Sequence, residues 1–376
     1  KYMKRTLLPL LTILSAGILT LVSCRKNDSC EGCTGIDRPV IQVQLIPVGY
    51  LSEPKSYFVA ASAGNKIVFA GGWLAIGAGY SGTADIYDIT TNTWSTANLS
   101  EQYRQGMAAA SVGNKIFFAG GGDNDNGFVT SRIDIYDVST DTWSTAELSE
   151  PKEYLAAATI GNKVYFAGGG NWNPDYRGLT SIDIYDNATN TWTTSNLSVG
   201  RSNLSASAIG SKIYFAGGST DATGVFAHNS IDIFDTLTRS WSTSMLQEKK
   251  NFHAAAVFGN KIFWAGGRYW KTQSTITTSD QVEIWDVNTG AASLASIIPK
   301  YDFSAAIKGD NIVFFTGPLG DGTRFDVYNS STNKWSIGWM QKKINHAAII
   351  SVNNTIYVAG GYVNGVLSNE VWKLEF

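Results

Sequence analysis

Two series of charged side chains recur along the sequence at the same phase of an internal repeat. The basic series consists of Lys55, Arg104, Lys152, Arg201, Lys250, Lys300 and Lys343. The acidic series consists of Asp85, Asp134, Asp183, Asp232, Glu283, Asp326 and Glu370. A collar of unpaired bases would attract an anionic ligand. Because the two series are equal in number, the sequence favours the alternative, in which each base pairs with an acid and the charge cancels.

Histidine and cysteine side chains, which serve most often in metal sites and nucleophilic catalysis, number only three each. His253 and His346 are assigned to the third position after the basic residue, and His228 falls in a loop. The other repeats fill that third position with Phe58, Met107, Leu155, Leu204 and Phe303. Packing is therefore favoured over ligation for these two histidines. With no metal-ligand spacing and no nucleophile–base pair, we predict no catalytic residues, no metal and no cofactor.

Aromatic and arginine side chains are concentrated in loops that differ in length and content from one repeat to the next. The candidate ligand-binding residues are Trp73, Tyr80, Trp172, Tyr176, Arg177, Arg268, Tyr269 and Trp270. Exposed aromatic rings interleaved with arginine suit a sugar or a protein hot spot. The alternative is that some of these rings fold down onto the scaffold. The last two loops are short, which predicts a notch beside the sixth and seventh repeats.

The repeat that positions these residues is marked by an Ala-Gly-Gly element, once degenerate. Successive copies lie 43 to 51 residues apart. The first glycines are Gly71, Gly120, Gly168, Gly217, Gly266, Gly317 and Gly360. Each copy contains four strand-like runs, the first of small residues and the third ending at an aspartate or its substitute. This period and content predict an all-β propeller of seven blades.

The stretch Met107–Trp143 shows the pattern most clearly, with MAAASVGNKIFFAGG followed by RIDIYDVSTDTW. This order of features resembles the kelch repeat over roughly residues 41–376. The resemblance implies a seven-bladed β-propeller and no particular activity, because function depends on sites added to a fold. Kelch-like propellers include a copper-radical oxidase, which needs a Cys–Tyr cross-link, and no cysteine follows Cys33. They also include a sialic-acid mutarotase, which needs only an acid–base pair.

Two features of the repeat predict how the blades pack and how the ring closes. The outer runs carry Trp94, Trp143, Trp192, Trp241 and Trp335, which we expect to pack between blades. The last repeat ends after its third strand. We therefore predict that residues 41–46 form the outer strand of blade seven, with Ile46 in the tryptophan position. Such a closure avoids exposed strand edges.

The first residues have the features of a bacterial lipoprotein signal peptide. Lys4 and Arg5 precede an apolar run that is too short for a confident membrane span. The run ends at Leu21-Val22-Ser23-Cys24, which resembles the lipobox. The resemblance implies a lipid on Cys24, and Arg25 after it implies the outer membrane. An ordinary signal peptide or an uncleaved anchor helix is the alternative.

The polar segment after Cys24 is predicted to be a flexible tether. Within it, Cys30 and Cys33 fit a local disulfide in an exported protein. A redox pair would need a thioredoxin-like βαβ context, and a metal site would need two more ligands. The predicted organisation is a signal peptide over 1–23, a tether over 24–38 and a propeller over 39–376.

Composition narrows the function classes. The chain has 376 residues, 44% of them hydrophobic, and a net charge of −2, which argues against a nucleic-acid partner. We favour a non-catalytic, membrane-anchored binding module that presents its variable loops to a glycan or protein. The alternatives are a sugar-modifying enzyme, such as a mutarotase-like epimerase, and a structural or assembly lipoprotein. We expect a monomer in the bacterial cell envelope, on the periplasmic side or the cell surface.

Overall fold

A computed structural model describes residues 38–75, 78–102, 104–123, 127–172, 175–221, 225–272, 275–299, 304–319 and 322–376 of the protein. All regular secondary structure within these ranges is β-strand, as expected for an all-β fold. Among these residues, no helix has the length and apolar character needed to cross a bilayer. Cys24, Cys30 and Cys33 lie outside the described residues, as do Lys300 and Phe303.

Seven antiparallel sheets, which we call blades 1 to 7, account for most of the described strands. Blade 1 consists of Val59–Ala63, Lys66–Ala70, Thr83–Asp88 and Thr93–Asn98. Blade 2 consists of Ala108–Val112, Lys115–Ala119, Arg132–Asp137 and Thr142–Glu147. Blade 3 consists of Ala156–Ile160, Lys163–Ala167, Ser181–Asp186 and Thr191–Asn196. Blade 4 consists of Ser205–Ile209, Lys212–Ala216, Ser230–Asp235 and Ser240–Met245.

The remaining three blades follow the same order, with additions from the N-terminal segment. Blade 5 consists of Ala254–Phe258, Lys261–Ala265, Gln281–Asp286 and Ala292–Ser296. Blade 6 consists of Ser304–Lys308, Asn311–Leu319, Gly322–Asn329, Lys334–Met340 and Val40–Gln42. Blade 7 consists of Ala348–Val352, Thr355–Ala359, Glu370–Glu375 and Gln44–Tyr50. Short strands in loops pair Gly122–Asp123 with Phe128–Val129, Gly170–Asn171 with Arg177–Gly178, Arg268–Thr272 with Thr275–Thr278, and Tyr362–Val363 with Ile344–Asn345 and Val366–Leu367.

The first strands of the seven sheets contact one another in cyclic order, and the first strand of blade 7 contacts that of blade 1. These strands are built from small residues, as in Ala108-Ala109-Ala110, which lets neighbouring sheets converge near the axis. The second strands are almost wholly buried, as in Ile116–Ala119, and form the centre of each sheet. Within the described residues the fold is therefore a β-propeller in which seven sheets are arranged in a ring.

Apolar clusters join each blade to the next. Val68 of blade 1 packs with Phe118 of blade 2, and Trp143 lies against that cluster. Trp94, Trp192 and Trp335 pack in the same way against clusters that span two blades. The predicted inter-blade role of these tryptophans is confirmed. Trp241 is 37% exposed and contacts aromatic rings of its own blade.

The aspartates that end the third strands cap the turn that follows, as predicted. One carboxylate oxygen of Asp88 accepts hydrogen bonds from the backbone N–H groups of Thr90 (2.9 Å) and Thr91 (3.1 Å). These bonds, that from Thr91 above all, lower the pKa of Asp88 to about 2. The same capping bond recurs at Asp137, Asp186, Asp235, Asp286 and Asn329. Each turn is thereby fixed without a longer loop.

The crossover from one blade's outer strand to the next blade's first strand is anchored by a buried ion pair. Lys55 Nζ lies 2.8 Å from Asp85, and Lys152 Nζ lies 2.7 Å from Asp183. Arg104 pairs with Asp134 and Arg201 with Asp232 in the same position. All eight side chains are almost fully buried. The ion-pair interpretation of the two charge series is thus confirmed in blades 1 to 4.

The Gly-Gly element forms a contact between neighbouring blades. The N–H of Gly72 donates to the carbonyl oxygen of Arg104 in the following crossover (3.0 Å). A Cβ atom at Gly71 would lie 2.5 Å from that same oxygen, and Gly71 has a φ of +68°. Only glycine combines this backbone conformation with so close an approach. The equivalent bond from Gly361 to Lys55 (2.8 Å) joins blade 7 to blade 1.

The N-terminal segment closes the ring, although its strand boundaries differ from the prediction. Gln44–Tyr50 pairs with Glu370–Glu375 as the outer strand of blade 7, whereas Val40–Gln42 pairs in parallel with blade 6. Leu45, and not Ile46, faces Leu374 where Trp94 faces Tyr87 in blade 1. A bulge between Pro47 and Gly49 shifts the register, which spacing alone did not reveal.

Blade 7 also departs from the predicted phase of the charge series. In blades 1 to 5 the base lies four residues before the start of the first strand. In blade 7 that position is occupied by Ile344 and not by Lys343. The acid of the third strand pairs with a fixed residue of the second strand, as Asp134 pairs with Phe118 in blade 2. In blade 7 the residue in that pairing position is Trp372, opposite Val358, and not Glu370. Both residues are buried in one apolar cluster. An apolar pair thus replaces the ion pair, and the predicted assignment of Lys343 and Glu370 is wrong.

Deleting residues 39–47 should lower the melting temperature by at least about 10 °C, because it uncovers the edge of blade 7 and breaks the join to blade 6. Differential scanning calorimetry of the purified protein measures this directly. Deleting residues 25–33 in the predicted tether is the matched control and should leave the melting temperature unchanged. Equal melting temperatures for both deletions would contradict the closure described above.

Candidate functional site

In six of the crossovers, leaving aside the one into blade 6, which lies partly outside the described residues, a residue in the left-handed backbone conformation follows two positions after the base, or after Ile344 in blade 7. These residues are Tyr57 (φ +54°), Gly106 (+65°), Tyr154 (+53°), Asn203 (+54°), Phe252 (+52°) and His346 (+52°). We call these six the inner ring. Such a conformation is uncommon for residues other than glycine, although asparagine and histidine adopt it more readily than tyrosine or phenylalanine, and strained residues cluster at functional sites. The inner ring therefore marks a candidate site.

Backbone hydrogen bonds link neighbouring members of the inner ring. Tyr154 donates to Gly106 (2.7 Å), Asn203 to Tyr154 (2.9 Å) and Phe252 to Asn203 (3.2 Å). The N–H of Tyr57 donates to the carbonyl oxygen of His346 (3.2 Å), across the junction of blades 7 and 1. These bonds connect the left-handed residues of neighbouring blades directly through their backbones.

The inner ring surrounds a cavity of about 890 Å³. Its polar lining residues include Gln105, Tyr154, Asn203, Asn345 and His346, which offer hydroxyl, amide and imidazole groups. Its apolar lining residues include Phe58, Met107, Phe315, Met340 and Ile344. Half of the described lining residues belong to blades 6 and 7 or to the segment joining them. This volume is in the range of small-molecule sites.

The inner ring was missed by sequence reasoning, which placed function in the loops and packing in the crossovers. His346 was counted as a packing residue because the phase of blade 7 was one residue off. It belongs instead to the inner ring beside Tyr57. The sequence did contain a clue to this site. The position varies in residue type from repeat to repeat, although the base before it and the strand of small residues after it both recur.

An aromatic cluster lies where blades 7 and 1 meet. The rings of Tyr57 and His346 stack at 4.2 Å, and the Tyr57 hydroxyl lies 2.9 Å from His346 Nε2. Tyr362 contacts His346 at 6.3 Å and Trp73 at 6.2 Å between ring centres. Trp73 is one of the candidate loop residues and is partly exposed. Tyr80 is only 5% exposed and packs into the top of blade 1.

A second group of candidates lies on blade 3. Trp172 is 42% exposed, and its ring meets that of Tyr176 edge to face at 4.8 Å. Its indole N–H donates to Glu153 Oε1 (2.8 Å), a carboxyl group that is fully buried beside Tyr154 of the inner ring. Burial raises the pKa of Glu153 to about 7, against the opposing effect of this hydrogen bond. Arg177 is largely exposed and lies 4.0 Å from Glu150.

The third group of candidates lies on the hairpin of blade 5. The guanidinium carbon of Arg268 lies 4.3 Å from the ring centre of Phe252, and Arg268 lines the cavity. Tyr269 and Trp270 follow on the same strand and are partly exposed. Burial, with Glu248 adding to it, raises the pKa of Tyr269. The candidates thus fall into three groups, of which those of Trp73 and Arg268 adjoin the cavity.

The remaining titratable groups near the crossovers are structural. His253 is buried, its Nε2 lies 2.8 Å from the hydroxyl of Ser205, and burial lowers its pKa to about 3. It is a packing residue, as predicted. Lys250 is fully buried, with Nζ 3.7 Å from Glu248. Asp326 binds Arg38 at 2.8 Å. Within the described ranges, no cluster of three or more histidine, cysteine or acidic side chains could hold a metal.

Comparison with known proteins agrees with this architecture. The KLHDC2/KLHL20/DRC7 kelch-repeats domain matches residues 106–272, and the kelch motif matches residues 54–98. The chain is a kelch-repeat protein. A solved structure titled "Structure of YjhT" is similar to this propeller, with a TM-score of 0.55 and 13% identity. The match covers 87% of this chain and 95% of that one, and at this identity it supports the fold alone. No curated protein matches the chain.

Replacing Glu153 with glutamine should change how stability depends on pH. The carboxyl pKa rises from an ordinary 4.5 to about 7 on folding, so the native state loses stability as pH climbs through this window. The loss approaches about 3 kcal/mol above pH 7. Glu153→Gln keeps an acceptor for Trp172 and should match the wild type near pH 4 but exceed its stability at pH 8.

Urea unfolding at both pH values measures this difference. Glu150→Gln, on the same crossover but partly exposed, is the control and should follow the wild type at both. A Glu153→Gln effect of equal size at pH 4 and pH 8 would show that Glu153 does not titrate as described.

Proposed function

We propose that this kelch propeller is a non-catalytic binding module that takes a carbohydrate in the cavity bounded by the inner ring. The observation that carries the proposal is the cavity itself, whose lining includes aromatic and amide side chains on residues in the left-handed conformation. Strained residues of this kind cluster at active sites and ligand clamps. A propeller blade needs no aromatic side chain here, since Gly106 serves in blade 2.

The chemistry of the lining fits a sugar. A pyranose ring has faces of C–H bonds, which pack on aromatic rings, and an edge of hydroxyls, which pair with neutral amides and hydroxyls. Tyr57, Tyr154 and Phe252 supply rings, and Asn203 and Asn345 supply amides. Within the described lining, Arg268 is the one side chain with a permanent charge, and it lies against Phe252. The site is therefore suited to a neutral or singly anionic sugar.

Cavity variants should lose sugar binding while retaining the fold. Phe252→Ala and Asn203→Ala remove one stacking surface and one amide, and we expect each to weaken binding about tenfold. Saturation-transfer NMR against neutral and anionic sugars, followed by calorimetric titration, measures this. Phe128→Ala, an exposed loop aromatic outside the described lining, is the control. If Phe252→Ala and Asn203→Ala bind as the wild type does, or if only a protein partner is found, the proposal fails.

A mutarotase-like enzyme is the second candidate, and one observation favours it. Glu153 has a pKa of about 7, suited to proton transfer at neutral pH, and adjoins Tyr154 in the inner ring. Its carboxyl is buried and is not part of the described lining, which is why binding is preferred. The same NMR samples separate the two: interconversion of sugar anomers that disappears in Glu153→Gln would establish the enzyme.

We propose further that the propeller is attached to the bacterial outer membrane through a lipid on Cys24. The support is the lipobox-like Leu21-Val22-Ser23-Cys24 and the polar stretch that follows it. A single acyl chain binds membranes only weakly, whereas the multiple chains of a lipoprotein anchor stably. The tether would let the loop side of the disc reach ligands away from the bilayer.

Cys24→Ala should abolish both lipid labelling and membrane attachment. Cells grown with a radiolabelled or alkyne-tagged fatty acid are fractionated, and label and protein are followed together. The Cys30→Ala/Cys33→Ala double variant is the control and should remain labelled and membrane-bound. A Cys24→Ala protein that stays in the membrane fraction would indicate an uncleaved anchor helix instead.

A further inference from the structure

The aromatic cluster at the junction of blades 7 and 1 extends beyond the cavity. Tyr57 and His346 line the cavity, whereas Tyr362 and Trp73 do not belong to its described lining. The four rings form an unbroken series of contacts, Tyr57 to His346 to Tyr362 to Trp73, with centre distances of 4.2, 6.3 and 6.2 Å. We call this series the aromatic track.

The position of each ring is set by the repeat. Trp73 and Tyr362 each follow a Gly-Gly pair, in blades 1 and 7 respectively, and so occupy equivalent positions in neighbouring blades. The backbone of Trp73 pairs with Ser56, directly before Tyr57, so the loop residue adjoins the inner ring. Blades 2, 3 and 4 place Gly122, Gly170 and Ser219 at the equivalent position. Within the described residues, the aromatic pair at this position is thus confined to one junction.

None of the four rings is fully buried. Tyr57 is 46% exposed, and Trp73, His346 and Tyr362 are partly exposed. Rings needed only for packing would be enclosed, as Phe69 and Tyr357 are in the cluster beneath. Partly exposed rings that continue from the cavity lining to residues outside it leave aromatic surface for a ligand to contact, and each sugar ring that packs on such surface adds to affinity.

Resting on the proposed function, we propose that the ligand is an oligosaccharide whose terminal sugar enters the cavity while the following sugars lie along the aromatic track. A single sugar would leave Tyr362 and Trp73 unused. A linear chain presents one pyranose face after another at the spacing of its units, which is comparable to the spacing of these rings. Neutral amides in the cavity lining, Asn345 among them, can bind hydroxyls.

Trp172 provides a matched control for the track. It is an exposed tryptophan on the same side of the disc, but it is held by Glu153 and Tyr176 on blade 3. The track requires that Trp73 and Trp172 differ in their effect on long ligands. A general requirement for exposed aromatic surface would make them equal.

The experiment titrates the full-length mature protein with cello-, xylo-, manno- and chito-oligosaccharides of one to five units, using calorimetry. In the wild type, affinity should rise with chain length by about tenfold or more from monomer to tetramer. Trp73→Ala should abolish this gain and leave monosaccharide affinity within about twofold. Trp73→Phe should restore most of the gain, which separates stacking from any effect on folding. Trp172→Ala should behave as the wild type.

The outcomes distinguish the track from the cavity. Equal affinity for monomer and tetramer, or equal effects of Trp73→Ala and Trp172→Ala, would overturn the track and leave sugar binding in the cavity intact. Absence of binding to any sugar would overturn the proposed function and the track together. Selective binding of a proline-rich peptide would also overturn both, since aromatic grooves bind such peptides as well.

Discussion

In blades 1 to 4 the structure depends on a buried ion pair between the crossover and the third strand of the blade that the crossover enters. Arg104 bonds the carboxylate of Asp134 and the carbonyl oxygens of Gly120 (2.9 Å) and Phe118 (3.0 Å), while Asp134 also accepts the N–H of Ser100 (2.8 Å). A buried charge without such partners would destabilise the fold by several kcal/mol, so the crossover has one permitted position. The fixed position of the crossover places the carbonyl oxygen of Arg104 against the Gly-Gly element of the preceding blade. It also fixes the place of the left-handed residue that follows, Gly106.

Blade 7 has no ion pair at these two positions and so allows a comparison with blades 1 to 4. Ile344 and Trp372 fill the two positions with apolar contact, as expected if a buried pair can be exchanged for well-packed hydrophobic groups at little loss of stability. This is also the blade completed by a distant part of the chain. Its closure relies on strand pairing with Gln44–Tyr50 and on the bond from Gly361 to Lys55. Because Ile344 lines the cavity in place of a fully enclosed base, the exchange also makes this side of the site more apolar.

Features that recur could be predicted from the sequence, and features that do not recur could only partly be predicted. The turns, the capping aspartates, the inter-blade tryptophans and the pairing of Lys55 or Arg104 followed from their repetition. Blade 7 was misread because a lysine and a glutamate happen to lie one or two residues from the repeating phase, and the strand pairing needed to reject them is not visible in spacing. The inner ring was missed because Tyr57, Asn203 and His346 share a backbone conformation and not a residue type.

The separation of scaffold and site follows from the same constraint. The left-handed conformation costs roughly 1 to 2 kcal/mol for a residue other than glycine, and the crossover's hydrogen bonds and ion pair offset that cost irrespective of the side chain. Gly106 and Phe252 therefore occupy equivalent places in one ring, although one has no side chain and the other a large one. The fold accepts glycine, an amide, an imidazole and aromatic rings at this position, so the scaffold alone does not fix its composition. The concentration of aromatic rings at the junction of blades 7 and 1 is then not a requirement of the propeller, and a ligand that contacts them is the simplest reason for their presence.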